Sequence, residues 1–151
     1  MPEEHINLHR LVWSPDDFEG GRLLPSAFPR NDLLGGERYV SVSRVDQLVP
    51  DAEIATAESQ SDRANGCQFI RDEAWSVLLC CGEVMSATDV DDVRPFAVTP
   101  EPIEAENDAH CGLRNTSGKK GRGYVNQLRL ILVGLASTPR PLNEFLSDFT
   151  V

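Results

Sequence analysis

Residues 124–136 read Tyr-Val-Asn-Gln-Leu-Arg-Leu-Ile-Leu-Val-Gly-Leu-Ala, and Arg129 is the one charge among them. A helix wound over this stretch is apolar on most of its faces, so it has to lie deep against a sheet. Its longest apolar run, Leu130 to Val133 with Leu135 and Ala136 beyond Gly134, falls far short of a membrane span, and no membrane partner is expected. The rest of the chain must therefore supply the strands that cover this helix.

The clearest strand is Arg38-Tyr39-Val40-Ser41-Val42-Ser43-Arg44, where Val40 and Val42 share one face and Tyr39, Ser41 and Ser43 the other. Residues 6–13 (Ile-Asn-Leu-His-Arg-Leu-Val-Trp) alternate and then become wholly apolar, as a central strand does, with His9 and Arg10 on opposite faces. Further strands are expected at Glu83–Ala87, at His110–Asn115 and, between two prolines that favour a sheet edge, at 95–100. Ser14 and Pro15 signal a helix that Gly20-Gly21 ends within about two turns. Residues 22–36 are an irregular crossing anchored by Leu23, Leu24 and Phe28. Helices are expected over 51–64, closed by Asn65-Gly66, and over 69–81, up to Gly82. At 151 residues the chain fits one domain. The order of elements predicts an α+β fold: a mixed, mostly antiparallel sheet packed by two to four helices over residues 1–138, then an apolar docking segment at 139–151.

Charge is segregated along the chain. Residues 1–108 carry 22 Asp and Glu against 8 Arg, whereas residues 109–143 carry six Lys and Arg and no acid. The net charge of −10 argues against general nucleic-acid binding and favours a basic protein partner. An acidic start, Met1-Pro2-Glu3-Glu4, and adjacent Cys80 and Cys81 inside an apolar run lead to the expectation of a reducing, cytoplasmic setting.

The candidate chemistry lies in four places. The loop Ser117-Gly118-Lys119-Lys120-Gly121-Arg122-Gly123 joins a strand to the start of the buried helix, where free N–H groups favour an anion. Lys119, Lys120 and Arg122 sit at the wrong end of that helix for its dipole, and with Arg114, Ser41 and Ser43 they form the expected ligand-binding set. Its glycine spacing matches neither the Walker loop nor the dinucleotide fingerprint. His9 and His110 are candidates for proton transfer, with Arg10 beside the first and Ser41 and Ser43 within reach on a neighbouring strand. Cys111 reads first as a buried, inert thiol and otherwise as a nucleophile whose basic surroundings would lower its pKa. Leu142, Phe145, Leu146 and Phe149 form an apolar stripe suited to docking on the chain's own domain, or else to self-association or docking on a partner. The cysteines lack zinc spacing, and Asp89, Asp91 and Asp92 lack the glycine and closing glutamate of a calcium loop, so no metal or other cofactor is expected.

His9-Arg10 in an opening strand, followed by an irregular stretch and then Tyr39-Val40-Ser41-Val42-Ser43, resembles the start of the ADP-ribosyltransferase superfamily over residues 8–43. The resemblance implies that an Arg or His of the first strand and the Ser-x-Ser strand help to hold NAD. It also implies a catalytic Glu on a later strand, for which Glu83 is the candidate. Two functions are left open. The leading one is a non-catalytic accessory, inhibitor-like or immunity-like protein. The alternative is a small enzyme acting on a nucleotide-like or phosphate-bearing ligand.

Overall fold

The structure, a computed structural model, describes residues 5–63, 68–101 and 107–149. Asn65-Gly66, Cys67 and most of the acidic loop before Asn107 lie outside the described residues. Strand β1 (Asn7–Val12) is central. It pairs on one side with β4 (Val40–Arg44) and on the other, along all six residues, with β5 (Trp75–Cys80). Beyond β4 lie β7 (His110–Asn115) and then β6 (Phe96–Pro100), which takes the edge that its prolines predict. Beyond β5 lies the two-residue β8 (Arg140–Pro141), and every pairing is antiparallel.

The strand pleat sorts side chains into two layers. Leu8 and Val12 of β1, Val40 and Val42 of β4, and Cys111 and Leu113 of β7 face helix α3 (Arg122–Leu135), which buries Val125, Leu128 and Leu132 among them. The irregular crossing adds Phe28 and Leu33 to this layer. On the opposite face Leu11 packs with Leu48 and with Ala57 of α1 (Pro50–Arg63), and also with Leu142, Phe145 and Leu146 of α4 (Leu142–Ser147). The apolar helix thus lies against a sheet, as its composition requires.

Three local expectations are corrected. Residues 75–80, expected to be helical, form β5, because a strand buried on both faces is a continuous apolar run that periodicity cannot tell from a buried helix. Glu83–Ala87, expected to be a strand, belongs to helix α2 (Cys81–Ser86), whose buried Cys81 and Val84 are three apart. The helix expected after Ser14 is one tight turn, Pro15–Asp17, followed by a small hairpin of β2 (Phe18–Glu19) and β3 (Arg22–Leu23). Gly20 and Gly21, at φ of 58° and 78°, supply the left-handed two-residue turn that such a hairpin needs.

Candidate functional site

Strand register aligns three polar residues across the middle of the sheet. His9 on β1 lies opposite Ser43 on β4, and Ser43 lies opposite His110 on β7. All three face α1 and are buried. Ser41 is two residues along β4 on the same face and is half-buried, with its hydroxyl accepting from Gln60 Nε2 at 2.9 Å. The alternation that separates His9 from Arg10 therefore gathers the two central histidines and both serines under one helix.

Helix α1 brings Glu53 down onto this row. Its carboxylate accepts from His9 Nδ1 at 2.5 Å, Ser43 Oγ at 2.7 Å and Asn107 Nδ2 at 3.2 Å. Burial pushes the Glu53 pKa up, but the bond and charge of His9, with the bonds from Ser43 and Asn107, outweigh it and hold the group below the usual carboxylate range. His9 Nε2 meets Ser76 Oγ of β5 at 2.8 Å. Ser76, His9 and Glu53 thus have the connectivity of a serine–histidine–acid relay. Yet Ser76 is 2% exposed, and Phe145 of α4 stacks on the His9 ring at 4.6 Å and 13°. The relay is sealed in the layer between sheet and helices, where it ties α1, β1, β4 and β5 together.

His110 is held differently. Its Nδ1 donates to the Glu101 carbonyl at 2.5 Å, and Tyr39 packs edge-on to the ring. Among the described residues its buried Nε2 meets no hydrogen-bond partner. His110 belongs to the wall of a cleft between α1 and strands β1, β4 and β7. His9, Ser43, Glu53 and His110 line the cleft together with the half-buried Trp13, Ser41, Thr56 and Gln60. Its free volume is about 20 Å³, room for one water-sized group.

The other candidates lie elsewhere. The Arg10 guanidinium points to the opposite face and donates to the carbonyls of Ala27 and Ser41, clamping the irregular crossing to the sheet. The basic loop does join β7 to α3 as expected, but it borders a separate groove with Gly35, Gly36 and Arg114. Lys119 pairs with Asp91 at 2.7 Å, while Arg114 pairs with Glu101, bonds Thr99 Oγ1 at 2.9 Å and lies over the Tyr39 ring. Lys120 and Arg122 form no ion pair among the described residues. Buried Asn115 ties the loop down through the Ser117 hydroxyl and the Lys119 carbonyl. The nucleophile expectation for Cys111 is corrected: burial, outweighing nearby Arg44, pushes its thiol up to about 11. Glu83, the strand candidate for a catalytic Glu, lies on α2. Leu142, Phe145 and Leu146 are buried in the chain's own core, and Phe149 packs beside them, so this stripe is already covered.

Sequence reasoning passed over Glu53, Ser76 and Asn107. The signal available for Glu53 was faint: a carboxylate in the first turn of an Ala-rich helix, three positions before Thr56 and four before Ala57, which face the same layer. One surface was also passed over. On the outward side of α3, Gly123, Gln127, Leu130 and Gly134 are exposed and uncharged. Leu130 is 60% exposed and shares a shallow groove with Ile131 and with Val90, which is 78% exposed.

Comparison with protein-family models, with curated proteins and with solved structures returns no match. Among the described residues, no three His, Cys, Asp or Glu side chains converge as metal ligands would, and no helix is long and apolar enough to cross a membrane.

Proposed function

We propose that this chain is a non-catalytic accessory or inhibitor-like protein that grips a basic protein partner through the outer face of α3 and the turn at Val90. The observation that carries the reading is the pair Leu130 and Val90, 60% and 78% exposed on one groove. Large apolar side chains left in water side by side, rimmed by polar groups, are a common mark of a protein contact. Asp91 and Asp92 are exposed in the turn that carries Val90, with Asp91 paired to Lys119, while Asp89 lines the groove with its carboxylate bonded to Tyr124. With the net charge of −10, this rim favours a partner whose apolar centre is flanked by Lys or Arg. The buried α4 stripe leaves α3 as the better contact than the C-terminal segment.

The alternative, a small enzyme for a nucleotide-like or phosphate-bearing ligand, draws on His9, Ser41, Ser43 and His110 sharing one cleft. It needs an anion there, and the ionised Glu53 opposes one, while the lysine loop borders another groove.

The test is affinity capture from the source cells with wild-type and Leu130→Glu protein, followed by reconstitution of any captured protein in purified form. The expected result is a partner with a basic surface, bound more weakly as salt rises and at least tenfold more weakly by the variant. An affinity equal for wild type and Leu130→Glu sinks the proposal, as does sedimentation showing this face already buried in a homodimer. The substitution itself should leave stability within about 0.5 kcal/mol, since the site is exposed.

A further inference from the structure

We infer that the cleft beneath α1 is a binding site for a small primary-ammonium ligand, with His110 Nε2 accepting one N–H of its head group. The Glu101 carbonyl can only accept, so Nδ1 carries its proton, and the buried Nε2, with no acceptor for a second proton among the described residues, is the lone-pair nitrogen. That lone pair is buried and meets no donor among the described residues, and the residue that carries it lines the cleft. A buried polar atom without a partner is costly, so the site favours a guest that brings a donor.

The rest of the cleft has the same preference. Glu53 is a carboxylate whose Oε1 takes two bonds and whose Oε2 takes one, which leaves acceptor capacity on Oε2. Trp13, whose ring packs edge-on with Phe69, also lines the cleft. The nearby guanidinium of Arg10 is turned away to the opposite side of the sheet, committed to backbone carbonyls. A water-sized volume fits an –NH3+ group, and half-buried Ser41, Thr56 and Gln60 mark the side where the remainder of a ligand would leave. An anion would meet one carboxylate and one lone pair, both repulsive. This site is on the far side of the sheet from the α3 face, so either proposal can fail without the other.

The experiment titrates the full-length protein with methylammonium chloride, tetramethylammonium chloride and sodium chloride at matched ionic strength. Melting temperature and the assigned imidazole 15N resonances are followed. Tetramethylammonium carries the same charge without an N–H. Methylammonium alone should raise the melting temperature, by about 3–5 °C at ten times its dissociation constant. It should also shift the Nε2 resonance of His110 saturably. His110→Leu should abolish the rise, and His110→Gln, which retains an acceptor, should keep part of it. Identical responses to the three salts, or an Nε2 resonance that does not move in the wild type, would show that the cleft holds only water and would overturn the inference. The resonance decides the matter on its own even where a substitution prevents folding.

Discussion

Neighbours in sequence part company at His9 and Arg10. The pleat sends His9 into a carboxylate, a hydroxyl and an aromatic ring, and Arg10 into two backbone carbonyls. That separation was readable from alternation alone. The partner of His9 was not, because Glu53 is 44 residues away and looks like any solvated acid of a surface helix. Removing it leaves a buried histidine, a serine and an asparagine without their acceptor. Glu53→Leu should therefore cost about 3–5 kcal/mol of stability by urea unfolding. The same group sets an acid dependence. Its folded pKa lies below its unfolded value, so its contribution is complete above the ordinary value of 4.5 and fades as pH falls through the folded pKa. Wild type should lose stability more steeply than Glu53→Gln below about pH 4.5, and parallel slopes in urea series at pH 3 to 6 would contradict the relay. At Gly112 the constraint is steric. An added Cβ would meet Tyr39 Cγ at 2.7 Å, with that ring packed edge-on to His110, so Gly112→Ala should destabilise by about 1–3 kcal/mol. Tyr39→Ala in the same chain should recover part of that loss.

Whole elements were legible where one face is wet and the other dry. β4 alternates because α1 covers its polar face only in part, and its period of two survives in the sequence. β5 lies between β1 and the two-residue β8 and carries apolar side chains on both faces, Val77 and Leu79 in one layer and Leu78 in the other, so it kept no alternation to read. α2, only six residues long, offered too few turns for a 3.6 period to appear. The C-terminal helix shows what spacing can and cannot decide. Its apolar stripe was evident, but the surface it covers was a tertiary matter, settled by the Leu142 N–H bonding the Ala74 carbonyl and by Phe145 lying on His9. Phe145→Ala should cost about 3–5 kcal/mol by chemical denaturation, as a core truncation does, while leaving the oligomeric state unchanged. A change in association without a loss of stability would mean that the stripe serves another chain.

Over the molecule as a whole, the segregation of charge along the sequence is partly undone in space. The acidic turn at Asp89–Asp92 folds beside the basic loop, where Lys119 reaches Asp91 and Tyr124 donates to Asp89 at 2.7 Å. What reads as an electropositive island is therefore half-compensated. Exposed pairs of this kind add little, whereas the net charge of −10 repels itself throughout. Raising potassium chloride from 0.05 to about 0.5 M should accordingly move the urea midpoint upward, because the Debye length shrinks and the repulsion is screened. A downward shift would show that surface pairs outweigh net charge.

Composition and local pattern determined that an apolar helix had to rest on a sheet, that β1 would be central, that β6 would be an edge, and that His9 and Arg10 would look to opposite faces. These follow from the period of the backbone and from the cost of wetting apolar surface, both local properties. Only the folded chain decided that Glu53 would complete the row, that one nitrogen of His110 would meet no partner among the described residues, and that the lysine loop would turn to an acidic neighbour instead of the histidines. Those outcomes depend on which distant segments become adjacent. Hydrogen bonds and ion pairs act over a few ångströms of space, irrespective of separation along the chain.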